Sequence, residues 1–199
     1  MGNSATDITQ KQKRFLALLQ PHHDSLARFA RAMCKTDEEA RDVVGDTIEQ
    51  AFKNLHKLKH DEAFLSWIFT IARRIEKRRR WRGRLFEHFD PTAHDSDDYA
   101  ALHSNPSAEA ELDTKLLYDA LQRLPFKQRE AFTLFEISGF SLQEIQELQG
   151  DSLSAVKMRL VRARETLRSL LGEADPSNRA TIHHLTNPTN IGVSIRDKG

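Results

Sequence analysis

Between Glu87 and Asp113 the chain carries eight carboxylates and no Lys or Arg, interspersed with Pro91, Ser96, Ser104, Asn105, Pro106 and Ser107. A stretch so charged and so poor in periodic apolar residues cannot build a core of its own. It divides the 199 residues into two parts, and each part must bury its own apolar surface. On both sides apolar residues recur at spacings of three and four, the helical period. Only 8 Gly and 6 Pro in the whole chain argue against a loop-rich β fold. The expectation is all-α: two helical domains, 9–85 and 106–172, joined by an acidic flexible linker, 86–105, with a disordered tail over 173–199.

In the first part a helix is expected from about Thr9 to Cys34, kinked or split by Pro21, because proline removes a backbone donor and clashes with the preceding turn. Thr36-Asp37-Glu38-Glu39 fits a capping box, in which a threonine and the acid three residues on satisfy each other's amides. Ala40, Val43, Val44, Ile48, Ala51, Phe52 and Leu55 then form one apolar stripe, leaving Asp42, Asp46 and Glu49 on the wet face. Gly45 within that helix costs about 1 kcal/mol relative to Ala. After the polar loop Lys57-Leu58-Lys59-His60, Asp61 is placed to cap a third helix. Its apolar face is Phe64, Leu65, Trp67, Ile68, Ile71, Ala72 and Ile75, and it ends in the cations Arg73, Arg74, Lys77, Arg78, Arg79, Arg80, Arg82 and Arg84. A run this dense exceeds what a helix C-terminus needs to offset its dipole. Flanked by Trp67 and Trp81, it suits a phosphate backbone with unstacked bases.

In the second part Asn105-Pro106 is a plausible helix start, Pro125 a break, and Gly139 a C-terminal cap. Ser141-Leu142-Gln143-Glu144 is a second capping box; its short helix ends at Gly150, and a longer basic helix runs to Leu171, capped by Gly172. A short capped helix, a tight turn and a longer basic helix is the arrangement that seats a helix in the major groove. Val156, Leu160, Ala163, Leu167 and Leu170 face the core with Leu142, Ile145 and Leu148. Lys157, Met158, Val161 and Arg162 then face DNA, with Arg159 and Arg164 nearer the backbone. Cations pair with guanine edges or phosphates, and Met or Val can touch thymine methyls.

Other chemistries find little support. Net charge is +1, so only local charge speaks for a polyanion. Cys34 stands alone, which excludes an internal disulfide and reads as a buried small hydrophobe in a reducing compartment. Met1 to Asp7 lack a signal-peptide pattern and no apolar run reaches the ~20 residues a membrane span needs, so a cytoplasmic location without membrane insertion is expected. Asp42, Asp46 and Glu49 have no nucleophile or base beside them, and neither His22-His23 nor His183-His184 has companions at ligand spacing. Neither an enzyme nor a metal or cofactor site is expected.

Asp42-Val43-Val44-Gly45-Asp46-Thr47, Phe64-Leu65-Ser66-Trp67-Ile68-Phe69-Thr70-Ile71-Ala72-Arg73, Leu124-Pro125-Phe126-Lys127-Gln128-Arg129-Glu130 and Val156-Lys157-Met158-Arg159-Leu160-Val161-Arg162-Ala163-Arg164 occur in one order. Across about residues 12–172 this order resembles the bacterial extracytoplasmic-function (ECF) sigma factors of the sigma-70 family. The resemblance implies a region 2-like domain and a region 4 helix-turn-helix domain. It implies core RNA polymerase and promoter DNA, duplex and melted, as partners, with an anti-sigma factor. Asp42, Asp46 and Glu49 become the polymerase contact. Lys57, Lys59, His60, Arg73, Arg74, Lys77 and Arg78 become the −10 recognition and melting set, capturing a flipped base. Ser154, Lys157, Met158, Arg159, Val161 and Arg162 become the −35 set. Arg74 stands where the family usually has Asn, Gly45 where Gln is common, Gln146 in place of a small Ala, Ser154-Ala155 in place of Gly-Thr, and Met158 in place of Ser. Two other readings use the same residues: a stand-alone helix-turn-helix regulator, and a sigma-like decoy that binds an anti-sigma factor.

Overall fold

The computed structural model describes residues 3–87 and 108–172, with side chains over 8–82 and 114–172. Among the described residues every regular element is helical. The helix Phe64–Glu87 takes in 86–87, the first two residues of the expected linker; the rest of that linker, the expected helix start at Asn105-Pro106 and the tail lie outside the described residues.

Pro21 splits the first expected helix. α1 (Asn3–Leu19) ends in a 3₁₀ turn (Gln20–His22) with the proline in its first turn, and α2 (His23–Met33) resumes beyond it. α3 (Asp37–Lys53) starts at Thr36, whose hydroxyl accepts from the Glu39 amide at 3.2 Å. The return bond of the box moves one residue upstream: Glu39 accepts from the Lys35 amide at 2.9 Å. α4 (Phe64–Glu87) follows two short 3₁₀ turns, Leu55–Lys57 and Asp61–Ala63. Asp61 does not cap, contrary to expectation. Its carboxylate instead accepts from Arg14 Nη2 at 2.5 Å, so it ties α1 to the start of α4. Phe15 anchors this bundle edge-on to Phe52 and Phe64, with ring centroids 5.3 and 6.0 Å away.

The second cluster contains α5 (Ala108–Gln122), α6 (Phe126–Phe132), α7 (Leu142–Gln149) and α8 (Leu153–Gly172). α6 runs on into a π-helical turn, Thr133–Ile137, which ends at Gly139 with φ 76°. There the Phe140 amide reaches back to the Leu134 carbonyl at 2.9 Å, a closure that needs the left-handed conformation glycine tolerates. Ser141 and Glu144 form the full reciprocal box on α7, and Gly150 closes it with φ 66°. Ser152 caps α8 by accepting from the Ala155 amide at 3.2 Å. Gly172 is the last helical residue and has no positive φ, so the cap expected there is absent.

Val156, Leu160, Ala163 and Leu167 are buried as their spacing requires. Leu171 is buried in the role expected of Leu170, which only packs against the core edge. The two clusters are in contact. Phe69 of α4, fully buried and outside the expected apolar face, packs on Phe140 with centroids 4.8 Å apart. Gln122 Nε2 donates to the Ala32 and Cys34 carbonyls at 3.0 and 2.6 Å, joining α5 to the end of α2.

Candidate nucleic-acid interface

The cations at the end of α4 separate into two groups. Arg73, Arg79 and Arg80 are held by the protein. Arg73 Nε donates to Glu130 Oε1 at 2.7 Å and its Nη1 to the Leu148 carbonyl. Arg79 bridges Asp42 at 2.8 Å and Asp46 at 3.4 Å. Arg80 lies 3.7 Å from Glu76 and sits over the Phe126 ring. Arg74, Lys77 and Arg78 are exposed and have no ion pair among the described residues. Positions 74, 77, 78 and 81 recur at the spacing of one helix face, so these three cations share a surface with Trp81, which is 67% exposed. Lys57, Lys59 and His60 are exposed in the turn region before α4. Trp67 is half-buried beside Phe64, with ring centroids 6.0 Å apart.

Asp42, Asp46 and Glu49 are exposed on the outer face of α3 as the stripe predicts. Arg79 partly neutralises the first two, and Glu49 pairs with Lys53 at 2.6 Å. On α8, Ser154, Lys157, Met158, Val161 and Arg162 are exposed. Met158 and Val161 are conspicuous at 50% and 46% exposure, since a helix outer face without a partner is usually polar. Arg159 and Arg164 turn toward the protein. Arg159 Nη1 donates to Gln149 Oε1 at 2.6 Å and lies 2.8 Å from Asp151 Oδ2, while Arg164 Nε and Nη2 donate to Glu136 Oε1 at 3.0 and 2.6 Å. Lys127 reaches Asp151 as well, at 2.8 Å. Hydrogen bonds from Arg159 and Lys127 pull the Asp151 carboxyl down to about 2.

Sequence reasoning missed the polar seam between the clusters. Glu76, Arg129 and Glu130 are 4%, 8% and 3% exposed. Glu130 Oε2 accepts from Gln149 Nε2 at 2.7 Å, so one bonded chain runs Arg73–Glu130–Gln149–Arg159. Arg129 Nη1 donates to Gln122 Oε1, and burial lowers its pKa. Burial pushes the Glu76 carboxyl up to about 7, against the pull of Arg80; Glu130 adds to the rise, and Arg129 and Arg73 oppose it. The one available signal was Glu76 itself, an acid inside a basic run, one residue from the buried Ile75.

Residues 18–84 match the family model Sigma-70 region 2, and residues 114–167 match Sigma-70, region 4. The chain belongs to the sigma-70 family. It is 33% identical over 147 residues to the ECF RNA polymerase sigma factor EcfG of Rhodopseudomonas palustris, covering 74% of this chain and 79% of that one. It is 29% identical over 170 residues to the ECF RNA polymerase sigma factor SigM of Mycobacterium tuberculosis, covering 84% and 82%. Among solved structures it resembles the sigma factor RpoE bound to the anti-sigma factor NepR from Bartonella quintana (TM-score 0.67, 28% identity, 80% of this chain and 97% of that one). It also resembles CnrH bound to the cytosolic domain of CnrY (TM-score 0.61, 27% identity, 86% and 95%). The region 2 match takes in the end of α1 and all of α2 and α3 with most of α4, and the region 4 match runs from within α5 into α8. No helix among the described residues is long and apolar enough to cross a membrane.

Proposed function

We propose that this ECF sigma factor carries core RNA polymerase to promoters by three separate surfaces. Asp42, Asp46 and Glu49 on α3 dock on the polymerase. Lys57, Lys59, His60, Arg73, Arg74, Lys77 and Arg78 hold the melted −10 strand. Ser154, Lys157, Met158, Arg159, Val161 and Arg162 serve the −35 element. The observation that carries this reading is the sorting of the α4 cations: the exposed face of that helix keeps Arg74, Lys77 and Arg78 beside Trp81 with no ion pair among the described residues. Unpaired cations next to an exposed aromatic ring match a phosphate track with stacked bases. The region limits remain those of the sequence: 9–85 for region 2, 86–105 for the linker, 106–172 for region 4.

Transcription requires the two regions to part. The two promoter elements lie about two helical turns apart, roughly 70 Å. The bonded chain from Arg73 to Arg159 passes through only two intervening side chains and covers a fraction of that length. The contacting arrangement is a resting form, and RpoE with NepR, a complex with an anti-sigma factor, supports such a partner for this chain.

The test is in vitro transcription with purified protein, core polymerase and fragmented genomic DNA, sequencing transcript 5′ ends. New starts that share two upstream motifs are expected. Silence without co-elution with core would favour a decoy that binds an anti-sigma factor instead.

A further inference from the structure

An open cavity of about 400 Å³ lies between the end of α3 and the middle of α4, lined among others by Gln50, Asn54, Lys57, Trp67, Arg74 and Arg78. Ile71 and Ile75 complete its apolar part beside the Trp67 ring. Lys57, Arg74 and Arg78 bring three cations to the rim, none with an ion pair among the described residues. One N–H of Asn54 Nδ2 is committed, donating to the Gln50 carbonyl at 2.8 Å. That leaves its second N–H as a donor and its Oδ1 as an acceptor at the wall. An aromatic and aliphatic wall, an amide and unpaired cations together form a receptor for one flat heterocycle with phosphates on either side.

With the captured −10 base that the family resemblance implies seated in this cavity, we propose that Arg74 selects guanine or cytosine there over adenine and thymine. The proposal rests on the reading of α4 as the −10 face. Its basis is the donor pattern of arginine, which offers a fork of N–H groups and has no acceptor. A fork is satisfied by two adjacent acceptors. Guanine offers O6 with N7. An unpaired cytosine offers O2 with N3, since its pairing edge is open once it leaves the duplex. Adenine sets each ring-nitrogen acceptor beside an amine or a C–H group. Thymine separates its two carbonyls by an N–H. All four bases bring an N–H donor for Asn54 Oδ1, so the discrimination comes from the Arg74 fork. Lys57 and Arg78 neutralise the flanking phosphates and carry no base preference. A bidentate arginine contact corresponds to about 5- to 150-fold discrimination.

The experiment is run-off transcription by the reconstituted holoenzyme on a promoter library with a randomised −10 element, counting bases at each position among transcripts. One position enriched about 5- to 150-fold in guanine or in cytosine is the expected result, and the base recovered separates those two sources. Arg74→Asn should flatten or change preference at that position alone. Arg74→Lys, which keeps the charge but loses the fork, should flatten it as well. Arg74 is exposed, so folding of both variants should be unimpaired, which circular dichroism verifies. Transcription whose −10 positions all select adenine or thymine overturns this inference and leaves the sigma reading intact. So does an Arg74→Asn variant that lowers output equally from every library member, which would make Arg74 a phosphate contact. A silent wild-type holoenzyme would overturn both the proposed function and this inference.

Discussion

Arg73 and Glu130 meet across the seam between region 2 and region 4, Nε to Oε1 at 2.7 Å, with side chains only 18% and 4% exposed. The arginine comes from the proposed −10 face and the glutamate from the first helix after Pro125. Two dehydrated charges are tolerated here because each has further partners: the Leu148 carbonyl for Arg73 and Gln149 for Glu130. Removing one member leaves the other buried and unpaired, which typically costs 3–5 kcal/mol. A two-cluster chain can relieve that cost by opening rather than unfolding. Glu130→Ala should therefore enlarge the radius of gyration in small-angle scattering and strengthen single-stranded DNA binding by the isolated protein at low salt, several-fold or more. Unchanged radius and affinity would mean that the seam does not restrain the −10 face.

Glu76 gives this seam a pH dependence whose sign runs opposite to that of most carboxylates. Burial pushes its carboxyl from an ordinary 4.5 up to about 7. Between those values the packed form holds a proton that an exposed Glu76 has released, so this group's contribution falls as pH rises and is fully lost above about 7. The charged groups around it are Arg73 and Arg80 on α4 and Arg129 and Glu130 on α6, with the Cys34 thiol also in range. Both clusters supply its surroundings, so part of the penalty is relieved by opening. Scattering or a distance probe across the seam should show a more open population at pH 8 than at pH 6. Glu76→Gln, neutral throughout, should abolish the difference. A Glu76→Gln protein with the wild-type pH profile would assign the dependence elsewhere.

Cys34 reports on the same seam. It is 6% exposed, burial pushes its thiol up to about 12, and its carbonyl accepts from Gln122 of region 4. A thiol with so little thiolate at neutral pH reacts slowly with disulfide reagents. We expect modification of native protein to be at least tenfold slower than of the unfolded chain, and faster in Glu130→Ala than in wild type. Rapid modification of the native protein would contradict the burial.

The helices were legible in the sequence because each has a local cause. Pro21, Thr36, Ser141 and Gly150 act within one turn, and the stripes of α3 and α8 obey one period. The outer faces followed directly, so Asp42, Lys157 and Met158 lie where periodicity puts them. The seam was not legible. Arg73 and Glu130 are 57 residues apart, and nothing local distinguishes an arginine that pairs across clusters from Arg74 beside it, which does not. Asp61 failed as a cap for the same reason: a partner 47 residues away, Arg14, holds its carboxylate. Phe69 was overlooked because it lies off the stripe that packs region 2, and its partner Phe140 belongs to region 4.

Asp42 and Asp46 allow binding to polymerase to be separated from folding. Their side chains are 56% and 51% exposed, and both engage Arg79, which is one-third exposed. Exposed ion pairs contribute about 0–1 kcal/mol each, so changing either acid should barely move the melting temperature. A docking surface responds differently, because a reversed charge meets its partner's cations directly and like-charge contact across an interface costs several kcal/mol. Asp42→Lys and Asp46→Lys should each weaken co-elution with core polymerase by at least tenfold while circular dichroism and melting remain close to wild type. Arg79→Ala provides the control of opposite sign: it frees both carboxylates and should hold or raise core affinity. If the lysine variants bound core as wild type does, the polymerase contact would have to lie on another face of region 2.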